Sequence, residues 1–217
     1  MESSKKKAVW YFDFVSPYAY LQSALLARLA KEVDWVPRPI LFAGLLKHWG
    51  TLGPAELAPK RQWTYEQVAW LANEHGIALK MPRAHPFNPL PLLRLSLVGS
   101  TDGVIAPDRI ERLFRFVWAE GNLPTDTGAW DALLEELGTD PGALERPEIR
   151  AALRANGERA LADHVFGVPT TVVSGRRFWG FDSTPMLTAF IRDDPFFESE
   201  RFKKLADLPV GVIRKPN

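Results

Sequence analysis

The sequence predicts an α/β protein: a βαβ unit at the start, a ββα unit at the end, and a large all-helical insertion between them. Strand-type patterning is confined to the two ends, in Val9-Trp10-Tyr11-Phe12 and in Thr170-Thr171-Val172-Val173, whereas the middle carries only stripes of helical period. A frame interrupted in this way is one domain plus an insertion. It places a discontinuous domain at residues 8–42 with 165–192, a helical insertion at 43–164 and a C-terminal tail at 193–217.

Ala8 to Phe14 alternates and is rich in aromatic and β-branched residues, which reads as the first strand. Ser16 is suited to be a helix N-cap and Pro17 an N1 residue, and Leu21, Leu25 and Leu29 recur every four residues along the helix they open. Trp35 to Leu41 is the second strand, parallel to the first by the right-handed crossover rule. Its Pro37 and Pro39 remove ladder donors and send it to or near a sheet edge. In the middle, Tyr65, Val68, Ala69 and Ala72 make a stripe closed by Gly76. Ile110, Leu113, Phe114, Val117 and Trp118 make a stronger one, and Trp130, Leu133, Leu134 and Leu137 another. Pro91 and Pro147 fit the first turns of helices that reach Leu97 and Asp163. Beyond Phe166, two strands enclose Ser174-Gly175 as a hairpin turn. A last helix after Asp182 holds Pro185 in its first turn, with Leu187, Phe190 and Ile191 inward. Pro195, Pro209 and Pro216 give the final stretch the character of an extended tail that packs on a neighbour.

With 217 residues, 46% of them apolar, the chain can fill a large core without covalent staples. Lys and Arg number 27 against 26 Asp and Glu, for a formal charge of +1. Neither sign is concentrated beyond Lys5-Lys6-Lys7, which reads as a solvated N-terminal run and not as a nucleic-acid surface. No stretch approaches the ~20 apolar residues of a membrane span, and the apolar segment after Lys7 is too short and too aromatic for a secretion signal. The chain has no cysteine, hence no disulfide and no thiol redox chemistry of its own, in keeping with a soluble cytoplasmic protein. His48, His75, His85 and His164 lack metal-ligand spacing with acids, so no metal site is expected.

The chemistry concentrates where the first strand meets the first helix. The N-cap hydroxyl of Ser16, the free N–H groups of the first turn and the positive end of the helix converge on a point that favours an anion. A helix N-terminus lowers the pKa of a thiol, so a thiolate carried in by a small molecule suits this point. Val168-Pro169 opens the third strand, where a proline costs the ladder least.

Five segments stand in order over residues 8 to 191: Asp13-Phe14-Val15-Ser16-Pro17-Tyr18-Ala19-Tyr20-Leu21, Phe87-Asn88-Pro89-Leu90-Pro91, Val117-Trp118-Ala119-Glu120-Gly121, Phe166-Gly167-Val168-Pro169-Thr170 and Trp179-Gly180-Phe181-Asp182. Together they resemble the 2-hydroxychromene-2-carboxylate isomerase family, relatives of the kappa-class glutathione transferases in the DsbA-like branch of the thioredoxin superfamily. The resemblance implies a thioredoxin-like βαβ–ββα domain with a large helical insertion, bound glutathione and a homodimer. It implies that Ser16 is the catalytic residue, donating its hydroxyl to the glutathione sulfur and holding it as thiolate. Tyr18, Thr51, Lys60, Val168, Pro169, Asp182 and Ser183 would complete the glutathione site, and Asn88, Trp118 and His85 the pocket for a small aromatic acid. Lys60 would lie near the glycyl carboxylate and Asp182 at the γ-glutamyl end, while a cis Val168–Pro169 bond would leave the Val168 backbone free to pair with a peptide-like ligand. The family's Gly-x-Asp-Arg is here Gly180-Phe181-Asp182-Ser183, which puts the strength of that half-site in question, and Thr51 stands where some relatives carry asparagine.

The implied activity interconverts 2-hydroxychromene-2-carboxylate-like and trans-benzylidenepyruvate-like compounds of aromatic degradation by reversible thiolate addition. Two alternatives stay open on the sequence. One is a glutathione transferase or peroxidase-like enzyme on the same scaffold; the other is a non-catalytic thioredoxin-like binding module, for which the missing arginine speaks.

Overall fold

The computed structural model describes residues 5–212. One mixed sheet runs in the order β2-β1-β3-β4, from β1 (Lys6–Phe12), β2 (Val33–Pro39), β3 (Thr170–Val173) and β4 (Arg176–Trp179). β1 and β2 are parallel, joined by the crossover helix α1 (Pro17–Leu26), while β3 is antiparallel to both β1 and β4. Between β2 and β3 come α2 (Phe42–Trp49), α3 (Ala58–His75), α4 (Leu90–Leu97), α5 (Pro107–Trp118), α6 (Thr127–Glu136) and α7 (Pro147–Ala162). After β4 come α8 (Thr184–Ile191) and α9 (Glu200–Lys203). The expected order of βαβ, helices and ββα is the order that folds.

Local chemistry accounts for the frame. β2, with its two prolines, is an edge strand, and its outer side is not idle: the Pro37 carbonyl accepts the Ile105 N–H at 3.3 Å. The β3–β4 turn has φ of 49° at Ser174 and 76° at Gly175, the pair of positive values that a two-residue type I′ hairpin needs. Trp10, Phe12 and Phe14 meet Phe114 of α5 at ring-centroid distances of 6.3, 5.6 and 4.8 Å. This buried aromatic cluster packs the helical block directly on the central strand.

Four expectations are corrected. β1 and β2 each lie about two residues earlier than the pattern predicts. The cause in β1 is Lys6, whose ammonium donates to the Phe190 and Ile191 carbonyls at 3.1 and 2.9 Å and pairs with Asp193 at 2.5 Å. A cation is favoured at a helix C-terminus, here that of α8, so the lysine run is not wholly solvated. α2 is an element that the sequence pattern left unread. Phe42, Leu45, Leu46 and Trp49 do recur at helical spacing, but their apolar run is continuous with that of β2. Finally, the stretch after Asp193 is not an extended tail. Asp194 and Ser199 cap short helical turns that run to Asp207, and Phe197 is buried against Phe178, Phe190 and Phe202, so the chain folds back on its own sheet through Phe197 and Phe202. Pro216 lies outside the described residues. Among those residues no helix is long and apolar enough to cross a membrane.

Phe197→Ala should therefore lower the unfolding free energy in urea by about 3 kcal/mol. A change of about 0.5 kcal/mol or less, typical of a surface position, would place Phe197 outside the core.

Candidate functional site

β1 ends at Phe12, and the chain turns through Asp13, Phe14 and Val15 into α1. Ser16 is the N-cap, extended at φ −89° and ψ 113°, and its Oγ accepts the Ala19 N–H at 3.2 Å. An accepting hydroxyl still has its own proton to donate. The Ser16 N–H donates to the Asp13 carbonyl at 3.0 Å, which closes the turn.

The turn is held by its own Asp13 side chain and by groups from elsewhere. The Asp13 carboxylate, 0% exposed, accepts N–H groups from Val15 at 3.1 Å and Phe42 at 2.8 Å. Burial pushes its pKa up to about 7, against the backbone N–H groups of Phe42, Val15 and Phe14, which pull it down. Trp118 donates its indole N–H to the Phe14 carbonyl at 2.9 Å. His85 Nε2 is 2.8 Å from the Val15 carbonyl, and the Tyr65 hydroxyl lies 2.9 Å from both Nδ1 and the carbonyl of His85. Burial holds the His85 pKa below its ordinary value, the bond to Val15 opposes that shift, and Arg61 reinforces it. On the other side of Ser16, the Tyr18 hydroxyl donates to Gln67 of α3 at 2.6 Å, and burial raises its pKa.

The turn forms the floor of a cavity of about 990 Å³. The start of α2, the 51–56 loop, α3 and the segments 85–89, 166–168 and 179–182 form its walls. Large apolar side chains, Trp49, Leu52, Trp63, Phe166 and Trp179, remain exposed along it. Its acids are Asp13, Glu56 and Asp182, and among the described residues Lys60 is its one Lys or Arg. Glu56 is occupied, accepting the Gly53 N–H.

Of the residues expected at the site, Ser16, Tyr18, Thr51, Lys60, His85, Val168 and Asp182 line this cavity. The Val168–Pro169 bond is cis, and the Pro169 carbonyl accepts the Gly180 N–H at 2.9 Å, so Pro169 supports the wall without lining it. Among the described residues the Val168 N–H and C=O find no hydrogen-bond partner. Gly180 has φ of 88°, and a Cβ there would stand 2.5 Å from an Asp182 carboxylate oxygen, so glycine is what leaves room for that acid.

Three expected residues are not brought to the wall. Ser183 donates its hydroxyl to the Gly180 carbonyl at 2.8 Å, spending that group on the chain itself. Asn88 is exposed and uses its side-chain oxygen to accept the Leu90 N–H at the start of α4, while its neighbours Phe87 and Pro89 face the cavity. Trp118 is 0% exposed and sits behind His85, at a ring-centroid distance of 5.5 Å. Its effect reaches the site through the Phe14 carbonyl.

Asp13, Gln67, Tyr65 and the aromatic wall were missed by sequence reasoning. Asp13 stood within the quoted motif and carried the signal of an acid placed among large apolar residues. The partners of Tyr65 and Gln67 are set by tertiary contact and leave no local trace.

An acid whose pKa is raised on folding makes the protein take up a proton between the unfolded and folded values, so this group's contribution to stability falls as pH rises from about 4 to about 7. The difference in unfolding free energy between wild type and Asp13→Asn should decline across that window by up to about 1.4 kcal/mol per pH unit. A pH-independent difference would show that Asp13 is ionised in both states throughout.

A family model for the DSBA-like thioredoxin domain matches residues 8–192. A 2-hydroxychromene-2-carboxylate isomerase from Pseudomonas putida is 31% identical over 188 residues, covering 82% of this chain and 90% of that protein. Glutathione S-transferase kappa 2 from Caenorhabditis elegans is 24% identical, covering 93% of this chain and 98% of that protein. A solved 2-hydroxychromene-2-carboxylate isomerase shares the fold at a TM-score of 0.73 and 24% identity, over 94% of this chain and 100% of that one. The family model over most of the chain and a relative 31% identical along nearly its whole length mean that the chain belongs to the DSBA-like thioredoxin family and, within it, to the 2-hydroxychromene-2-carboxylate isomerase family.

Proposed function

We propose that the chain is a glutathione-dependent isomerase of aromatic degradation, interconverting 2-hydroxychromene-2-carboxylate-like and trans-benzylidenepyruvate-like acids. The observation that carries this reading is the Ser16 hydroxyl, buried at a helix N-terminus in the floor of a large cavity, with a proton still to donate. The residues around it suit glutathione. The unpaired Val168 backbone can take a peptide group as an added strand would, Lys60 offers a cation to a carboxylate, and Asp182 offers an anion to an ammonium. Ser183, already tied to Gly180, leaves the γ-glutamyl end to Asp182 and to backbone groups at the start of α8.

Bound glutathione supplies a thiolate that adds to the substrate's conjugated double bond and leaves again after rotation. Ser16 stabilises that thiolate by donating its hydroxyl proton and is too weakly acidic to serve as a base itself. The positive end of α1 acts in the same direction. Trp49, Trp63, Phe166 and Trp179 offer aromatic faces against which the substrate's ring is oriented and water is displaced. His85 takes no proton in this scheme, because both ring nitrogens are engaged within the fold. The proposal extends to a cytoplasmic homodimer: a cysteine-free chain suits the reducing compartment, and Trp70 on α3, 59% exposed outside the cavity wall, is an apolar contact for a second copy.

Calorimetric titration with reduced glutathione tests the reading. Wild type should bind saturably and release protons near neutral pH, while Ser16→Ala should lose the proton release and about 10²-fold of the isomerisation rate, the scale for removing one donor to a reacting anion. Absence of heat at millimolar glutathione would remove the cofactor from the account.

A further inference from the structure

The loop after α3 contains a histidine whose two ring nitrogens are both engaged. His85 Nε2 lies 2.8 Å from the Val15 carbonyl, which can only accept, so Nε2 carries a proton. At the other side of the ring the Tyr65 hydroxyl lies 2.9 Å from Nδ1 and donates its proton to the His85 carbonyl at 2.9 Å, so it grips both the ring and the backbone of the same residue. Burial and Arg61 both disfavour the imidazolium form. The rings of Tyr65, Trp118 and Phe87 surround the imidazole at centroid distances of 5.4, 5.5 and 6.2 Å. The ring is therefore held in one orientation, with Nε2–H facing Val15.

What it holds is the peptide unit joined to Ser16. That unit consists of the Val15 carbonyl and the Ser16 N–H. The carbonyl is taken by His85, and the N–H is taken by the Asp13 carbonyl at 3.0 Å. The Val15 N–H, one unit earlier, is taken by the Asp13 carboxylate. With both ends of the plane fixed, the φ of Ser16 is fixed, and so is the direction of its Cα–Cβ bond. Val15 itself lines the cavity, so its carbonyl is the backbone dipole that would turn toward a bound sulfur if it were released.

We infer that His85 is a positioning residue for the thiolate site. Tyr65 anchors the ring, whose Nε2–H pins the Val15–Ser16 peptide plane so that the serine hydroxyl, and not the negative end of the Val15 carbonyl, faces the sulfur. This rests on the glutathione reading given above. A carbonyl oxygen turned toward a thiolate opposes its ionisation, and a thiol is sensitive to the polar groups around it. Of the titratable groups near the pin, Asp13 acts on the same turn, Arg61 lies on α3 and Tyr65 is the partner of Nδ1; none of them changes in the variants of His85.

The test is a pH titration of thiolate absorbance at 240 nm in the complex of the full chain with reduced glutathione. In His85→Phe, which keeps a ring but no N–H, the bound thiol's pKa should rise by about one unit, roughly a tenfold loss of thiolate below that pKa, with the acid limb of the kcat/KM profile moving in step. His85→Gln, whose side-chain N–H can reach the same carbonyl, should restore most of that shift. Tyr65→Phe leaves the histidine in place and should move the pKa in the same direction by a smaller amount, which keeps the test available if His85→Phe does not fold. Bound glutathione with an unchanged pKa in both phenylalanine variants would overturn the inference and leave the glutathione reading standing. A wild-type protein that binds no glutathione would overturn both.

Discussion

Everything at the site depends on how one buried turn, from Asp13 to Ser16, satisfies its backbone. A turn at the end of a central strand has N–H and C=O groups that the sheet cannot pair, and leaving those that are buried unpaired would cost more than most single contacts return. Here distant groups supply the partners: the side chains of His85 and Trp118, 70 and 104 residues away, take the Val15 and Phe14 carbonyls, and the backbone N–H of Phe42, 29 residues away, holds the Asp13 carboxylate that takes the Val15 N–H. The helical block is thus more than an accessory packed on a small α/β domain. It delivers the groups that let the Ser16 loop exist in one conformation.

The same elements that satisfy the turn also build the cavity above it. α2 begins at the residue whose N–H meets Asp13, and it contributes Phe42, Leu46 and Trp49 to the wall. α3 carries Tyr65 toward His85 and Gln67 toward Tyr18, and along its length Lys60, Trp63 and Thr64 face the ligand space. The helices that support the turn therefore also line the cavity. A change in the packing of α3 would be felt at Ser16 through Val15 on one side and through Tyr18 on the other.

Much of the frame was legible because it is encoded locally. Ser16-Pro17 reads as a helix start, Ser174-Gly175 as a hairpin turn, and the α5 stripe as a buried face, each from residues that lie close together in the chain. Ser16 was singled out at an element end and Asp182 by resemblance, and both line the cavity. Trp118 and Asn88 were placed in the pocket by resemblance, but tertiary packing assigns them other tasks: Trp118 donates to a buried carbonyl and Asn88 starts a helix. The lysine run and the C-terminal stretch were misjudged for a related reason. Lys6 and Phe197 acquire their partners only when the end of α8 and the face of β4 are in place. Charge runs and prolines suggest exposure when read alone, and long-range contacts decide otherwise.

The central claim is that the chain borrows a thiolate, uses it as a nucleophile and gives it back. The most direct measurement is to follow 2-hydroxychromene-2-carboxylate by NMR in the presence of the protein and a small, known amount of glutathione. The account predicts many isomerised molecules per glutathione, with the glutathione recovered unchanged and no reaction enhancement when it is omitted. Enhancement that persists without glutathione, or one glutathione consumed per substrate in a stable adduct, would contradict it.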